Sequence, residues 1–212
     1  MDLHLWLAYV AAAFLIAVSP GSGAVLSMSH GLAYGVRKAS ATIGGLQLGL
    51  LLILLVAGAG VGSLLLASEL AFNVGKVLGA LYLIYLGWCQ WRAGGASPLA
   101  GADEVPAGSW RKRCLTGFLT NATNPKGIIF MVAVLPQFLT DARPLWSQLL
   151  VIAVTTLAVD TVVMHGYAAS ASAMRRLLRS ARAVQAQNRV FGGLLMAVGA
   201  GLFFVQRGAR HA

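Results

Sequence analysis

Six apolar stretches alternate with short polar connections along the 212 residues of the chain. Each is close to the ~20 residues that a helix needs to cross a lipid bilayer. The pattern predicts an all-α membrane protein in which residues 1–212 form a single polytopic domain. The predicted spans are Leu3–Met28, Thr42–Leu66, Leu70–Trp91, Cys114–Leu139, Ser147–Ala169 and Val190–Val205.

Two of these spans contain a proline beside small and polar residues. The first is broken at Pro20, in Ser19-Pro20-Gly21-Ser22-Gly23, and the fourth at Pro125, in the segment Asn121–Gly127. Because Ser and Asn are favoured N-caps and proline is favoured at the first helical position, each motif predicts the start of a half-helix inside the membrane. The free N–H groups at such a start suit a carboxylate. For either break alone, a simple kink is the structural alternative.

The two breaks occupy corresponding places in the two halves of the chain, approximately residues 1–105 and 106–212. A Gly- and Pro-rich stretch, Gly94–Arg113, joins the halves. Since each half has three spans, the second enters the membrane in the opposite direction, as in an inverted repeat. We therefore predict six transmembrane helices in two inverted three-helix repeats, with a transporter site near the midplane.

Composition and charge agree with a membrane location. Hydrophobic residues make up 58% of the chain and charged residues only 10%, whereas soluble domains have about 25% charged residues, so a soluble globule is excluded. The net charge of +10 is concentrated after spans one, three and five. Such loops stay cytoplasmic, which places both termini in the periplasm. The basic excess is thus a topology signal and a contact for the lipid bilayer, and nucleic acid is not an expected partner.

Asp160 lies in the middle of the fifth predicted span. An ionised carboxylate there costs at least about 2.5 kcal/mol, and intramembrane charges are usually functional. Thr156 and Tyr167 share its helical face. Binding of a substrate ammonium and transfer of a coupling proton both fit Asp160, and a structural ion pair with Lys126 is the alternative.

Lys126 directly follows the second proline, where its charge opposes the dipole of the half-helix. Three roles remain open: contact with a substrate carboxylate, pairing with Asp160, or snorkelling to an interface. Asn121 and Asn124 offer uncharged hydrogen bonds beside it, and Gln47 lies near the middle of span two. The predicted substrate-binding residues are Ser19, Pro20, Gly21, Ser22, Gly23, Gln47, Asn121, Asn124, Pro125, Lys126 and Asp160, with Asp160 also carrying the proton.

Other classes of chemistry find little support. The four histidines form no ligand cluster, and there is no paired carboxylate, nucleophile–base motif or nucleotide loop. We therefore expect no metal, no cofactor and no enzymatic activity. Cys89 and Cys114 form no C-x-x-C motif, which leaves a thiol-electron carrier as a minor alternative.

The segment Gly117–Lys126 resembles the fourth-span signature of the lysine-exporter superfamily, most closely its homoserine, homoserine lactone and threonine branch. Ser22 stands where many members have a second proline, as in the homoserine-lactone branch, and Leu50 stands where many have an acid. The resemblance to this superfamily extends to the segments Ser19–Ala24 and Leu135–Phe138, to Asp160 and to the pair Gly192-Gly193.

The resemblance implies export of small amino acids across the bacterial inner membrane by proton antiport, with a homodimer as the oligomeric state to test. The residues by themselves indicate only a secondary transporter for a small polar or zwitterionic solute. Direction and substrate rest on the resemblance. Leucine is the alternative substrate. Lysine ranks lower because a cationic substrate requires more than one intramembrane acid.

Overall fold

The computed structural model describes residues 1–67, 69–95, 108–140, 143–178 and 180–202. These residues form eight α-helices and no strand, so the all-α prediction is confirmed for this part of the chain. A short 3₁₀ helix, Leu135–Phe138, follows the sixth helix. The helices are α1 Leu3–Val18, α2 Ser22–Tyr34, α3 Val36–Ala67, α4 Glu69–Arg92, α5 Trp110–Ala122, α6 Pro125–Val134, α7 Leu145–Leu178 and α8 Ala181–Leu202.

Two of the helices in the described ranges are long and apolar enough to cross a membrane by themselves. They are Val36–Gly60 within α3 and Leu145–Ala171 within α7. Helices α1 and α2 make a third candidate when they are taken as one span, bent by 58° at the break between them. By length and composition, the structure thus supports two or three of the six predicted spans.

Several helices extend beyond the predicted spans into polar sequence. Helix α3 begins at Val36 rather than Thr42, and α8 begins at Ala181 rather than Val190. Hydropathy detects the part of a helix that suits lipid, whereas the backbone stays helical into the neighbouring polar sequence. Likewise α5 begins at Trp110, inside the predicted linker, because the Ser109 hydroxyl caps it by accepting a hydrogen bond from the Lys112 N–H (3.3 Å). The predicted boundary between the halves, 105/106, lies outside the described residues.

Helices α3 and α5 pack with their backbones in close contact. A methyl group on Gly45 would overlap the Cys114 carbonyl, and one on Gly117 would overlap the Thr42 carbonyl. Glycine permits such an approach between membrane helices. The contact places Asn121, near the end of α5, where its Nδ2 donates a 2.8 Å hydrogen bond to the Leu46 carbonyl oxygen.

Helices α4 and α8 form a second close pair. Gly87 and Gly192 each lie against the other's carbonyl, and Gly199 lies against the Ala80 carbonyl. Helix α7 packs across α1, α2 and α3. Helix α6, which begins at the second break, packs against α3 and α4.

Candidate functional site

A cavity of about 70 Å³, here called the central cavity, lies between the two helix breaks. Its wall is mostly apolar with a few polar groups, which is typical of a small-molecule site. The polar residues are Ser19, Asn121, Asn124, Lys126, Thr156 and Asp160. The other lining residues are Ala13, Ile16, Ala17, Gly21, Gly23, Ala24, Leu46, Leu50, Gly127, Phe130, Met131 and Met164.

The first break differs from its prediction. Ser19 is the C-cap of α1, its N–H bonded to the Leu15 carbonyl, rather than the N-cap of α2. A residue before proline is pushed out of the helical region, and Ser19 accordingly has ψ 122°. Gly21 is the N-cap of α2 and offers no side-chain acceptor. The prediction of Ser19 as N-cap and Pro20 as first helical residue was therefore wrong, and the first N–H groups of α2 have no capping side chain.

The second break has the predicted capping. Asn124 is the N-cap of α6, and its side-chain oxygen accepts a 3.1 Å hydrogen bond from the Lys126 N–H. Pro125 is the first helical residue. The N–H of that position makes no hydrogen bond within a helix, so proline loses none there. The two breaks are thus unequal: one starts its half-helix with a polar side-chain cap and the other without one.

The Lys126 side chain connects the two breaks. Its Nζ donates a 2.7 Å hydrogen bond to the main-chain carbonyl oxygen of Ser19. A cation is unfavourable at the N-terminus of α6 but favourable at the C-terminus of α1, which is where this ammonium lies. The Tyr167 hydroxyl donates a 2.6 Å bond to the Val18 carbonyl beside it. Carbonyls that the end of α1 leaves free are therefore satisfied by side chains from α6 and α7.

Asp160 approaches the central cavity from α7, opposite Lys126. Its Oδ2 accepts a 2.7 Å hydrogen bond from Gln47 Nε2, while the Gln47 Oε1 atom is buried and accepts no bond from the described residues. Asp160 and Lys126 line the same cavity, yet within the described ranges they form no ion pair at 4 Å or less. The alternative of a direct structural pair is therefore not seen in this structure.

The structure brings most of the predicted site residues together. Those that line the central cavity are Ser19, Gly21, Gly23, Asn121, Asn124, Lys126 and Asp160. Gln47 reaches the cavity only through Asp160. Ser22 and Pro125 are exposed and line no cavity described here, so the structure leaves both outside this constellation.

Sequence reasoning assigned no binding role to the rest of the wall. Thr156 lies one turn before Asp160 and Met164 one turn after it, while Phe130 lies one turn after Lys126. Helical spacing from the two charged residues was the signal that would have found them. Thr156 is also hydrogen-bonded to the hydroxyl of Tyr9, which anchors α1 against α7.

A second cavity, of about 380 Å³, lies on the other side of Gly21 and Lys126 and is here called the α4–α8 cavity. Its remaining lining residues are Pro20, Val25, Leu86, Cys89, Gln90, Val184, Gln187, Asn188 and Leu195. Cys89 and Cys114 are both free thiols. Within the described ranges no group of three or more His, Cys, Asp or Glu side chains is placed to hold a metal.

Comparison with known proteins identifies the family of the chain. The family model described as "LysE type translocator" matches residues 14–206. The homoserine/homoserine lactone efflux protein of Salmonella typhimurium is 41% identical over 213 residues, covering 100% of both chains. An uncharacterized membrane protein of Vibrio cholerae is 41% identical over 199 residues, covering 94% of this chain and 96% of its own.

A more distant relative is the leucine efflux protein of an Enterobacter species. It is 29% identical over 215 residues, covering 99% of this chain and 95% of its own. No solved structure matches the chain. The family match across nearly the whole sequence, together with apolar helices interrupted around a small charged cavity, shows that the chain belongs to the LysE-type translocator family of membrane proteins.

Proposed function

We propose that this translocator exports small amino acids and their derivatives, namely homoserine, homoserine lactone and threonine. The observation that carries the proposal is a central cavity lined by one basic and one acidic side chain, Lys126 and Asp160, that form no ion pair within 4 Å. A zwitterionic amino acid presents the complementary pair of charges. The name of the Salmonella relative, which aligns over its full length, supports this choice of substrate.

The carboxylate of homoserine or threonine, or the carbonyl of homoserine lactone, is proposed to bind at the Lys126 side of the cavity. The Lys126 ammonium lies near Gly21. A methyl group added to Gly21 would be 3.6 Å from Nζ. The N-terminus of α2, with no capping side chain, begins at the next residue. A cation and free helix N–H groups converge on the same point, and both stabilise an anion.

The ammonium of the substrate is proposed to bind Asp160. Gln47 donates to one carboxylate oxygen, and Asp160 Oδ1 accepts no bond from the described residues. The same carboxylate can take up either a proton or the substrate ammonium. Alternating between the two provides proton antiport, with protons entering as substrate leaves.

The proposed membrane arrangement has six spans in two inverted three-helix repeats within the bacterial inner membrane. Helices α1 and α2 form one broken span, and α5 and α6 form the other. Exposed basic residues support cytoplasmic positions for the start of α3, the end of α4 and the starts of α5 and α8. These are Arg37, Lys38, Arg92, Arg111, Lys112, Arg182 and Arg189. Both termini are then periplasmic, and a homodimer is the oligomeric state proposed for the membrane.

Leucine is a second candidate substrate. The apolar wall of the central cavity, including Leu46, Leu50 and Phe130, suits an aliphatic side chain. The leucine efflux protein of Enterobacter also aligns over almost the full chain. A hydroxyl-bearing substrate would instead use Asn121, Asn124 or Thr156.

The proposal is tested with purified protein in proteoliposomes loaded with labelled homoserine, homoserine lactone, threonine, leucine or lysine. An imposed pH gradient, acidic outside, is expected to accelerate efflux of the first three above that of protein-free vesicles. Faster efflux of leucine than of homoserine and threonine would make leucine the assigned substrate instead. No gradient-driven efflux of any of the five would overturn the proposed function.

A further inference from the structure

The central cavity and the α4–α8 cavity are separated by a thin partition. Gly21 and Lys126 line both cavities, and the hydrogen bond from the Lys126 ammonium to the Ser19 carbonyl belongs to this partition. The Ser19 hydroxyl also donates a 3.3 Å hydrogen bond to Gln90 Oε1, which belongs to the second cavity. Passage between the two spaces therefore requires this small set of hydrogen bonds to rearrange.

The described wall of the α4–α8 cavity contains three side-chain amides and one basic side chain. Gln90, Gln187 and Asn188 contribute side-chain amides, and Lys126 is the only basic residue among the described residues of its wall. Gln187 makes no side-chain hydrogen bond within the described residues, so its amide is available to a solute. Three neutral amides and one basic side chain in an otherwise mostly apolar wall suit a small carboxylate-bearing solute better than a cation.

The position of this cavity points to the cytoplasmic side. Apart from residues at and near the two breaks, it is lined by the last turns of α4, which ends at Arg92, and by α8 from Val184 to Leu195. The first half of α8 also contains Arg182 and Arg189. Asn188 Nδ2 donates to the Gly94 carbonyl and holds these two ends together. Lys- and Arg-rich helix ends lie in the cytoplasm, so a solute in this cavity comes from there.

We propose that the α4–α8 cavity is a cytoplasmic entry site for the carboxylate of a free amino acid, from which Lys126 passes it to the central cavity. The entering carboxylate replaces the Ser19 carbonyl as the partner of the ammonium. This opens the partition and moves the charged end of the substrate toward Asp160. The inference rests on the proposed export of amino acids, which it extends by an entry route.

Cys89 provides a direct probe of the site, because its thiol is exposed and lines the α4–α8 cavity. In Cys114→Ser protein, a membrane-impermeant anionic thiol reagent applied to the cytoplasmic face of inverted vesicles is expected to modify Cys89 and block export. L-homoserine at about ten times its Kd should slow modification about tenfold. Homoserine lactone, which has no carboxylate, should protect less. In Cys89→Ser protein, homoserine should leave modification of Cys114 unchanged.

A charge substitution gives an independent readout. Gln187→Glu places an anion in the cavity, and we expect the KM for homoserine to rise about tenfold, which corresponds to about 1.4 kcal/mol. Gln185 lies two residues away on the same helix, is exposed and does not line the cavity. Gln185→Glu is therefore the matched control and should leave KM unchanged.

The outcomes separate this inference from the proposed function. The entry site alone would be overturned by three results together. The unlabelled Cys114→Ser protein exports, homoserine does not protect Cys89, and the two glutamate variants have the same KM. Absence of homoserine and threonine export in wild-type protein would overturn the proposed function. If the Gln187→Glu protein fails to insert, protection of Cys89 by homoserine is the test of the entry site. No protection of Cys89 in a protein that exports overturns the entry site.

Discussion

Lys126 donates a 2.7 Å hydrogen bond to the Ser19 carbonyl across 107 residues of sequence. The bond joins the start of one half-helix to the end of another and explains why a cation is tolerated at the N-terminus of α6. It is also a bond that a substrate carboxylate can replace. Lys126 is thus both the structural link between the breaks and the candidate contact for the substrate.

Asp160→Asn should uncouple export from the pH gradient. Asparagine keeps an oxygen that can accept from Gln47 but cannot exchange a proton. We expect efflux of labelled homoserine from proteoliposomes to be the same with and without an imposed gradient, whereas wild-type efflux accelerates when the outside is acidic. Gradient-stimulated efflux at the wild-type rate in this variant would assign the proton to another group.

Leu50→Asp should broaden the substrate range toward cations. Leu50 is buried and lines the central cavity from α3. A second carboxylate there would stabilise the side-chain ammonium of lysine. The wild-type cavity leaves that ammonium unpaired, because Asp160 is the one acid among its described lining residues. We expect lysine efflux to appear above the background of protein-free vesicles. Leu50→Asn is the neutral control, and lysine efflux by both variants would exclude the charge as the cause.

Neighbouring glycines in α3 should respond differently to alanine. A methyl on Gly45 would overlap the backbone of α5, and we expect a loss of about 1–3 kcal/mol of stability. Gly44 has nothing within 4 Å of such a methyl, so Gly44→Ala should be neutral or stabilise by about 0.5–1 kcal/mol. Thermal unfolding of the two purified variants in detergent checks this. Equal melting temperatures would contradict the observed α3–α5 contact.

Tyr167→Phe should weaken the first break without touching either charged residue. The variant leaves the partly buried Val18 carbonyl without its hydroxyl partner, and the loss of such a hydrogen bond costs about 0.5–1.5 kcal/mol. We expect a lower melting temperature in detergent. Tyr85→Phe, at a residue 58% exposed, serves as the control and should melt like wild type.

The sequence was most informative where local chemistry determines local structure. Asn124 beside Pro125 predicted its own capping geometry, and Asp160 was identified by charge in an apolar span. Ser19 failed as an N-cap because the same proline that favours a helix start also forces its predecessor out of the helix. Pro20 thus favours Ser19 as an N-cap and also keeps Ser19 out of the helical region, and the structure shows the second effect.

Long-range partners could not be predicted from one sequence. Nothing in the pattern indicates that Lys126 contacts Ser19 rather than Asp160, since that choice depends on how α1, α6 and α7 pack together. The α4–α8 cavity was missed for the same reason. Its amides, such as Gln187, lie in a stretch that hydropathy treats as a polar loop, whereas α8 includes them.

The central claim is that the charge of Lys126 binds the substrate carboxylate, and equilibrium binding of labelled L-homoserine to purified Lys126→Gln protein tests it most directly. Glutamine keeps an N–H donor for Ser19 but carries no charge. Loss of a charge-assisted bond of about 1.5–3 kcal/mol predicts a Kd roughly 10- to 100-fold weaker than wild type. Lys38→Gln, at an exposed residue on α3, should bind like wild type. An unchanged Kd in folded Lys126→Gln protein would contradict the claim.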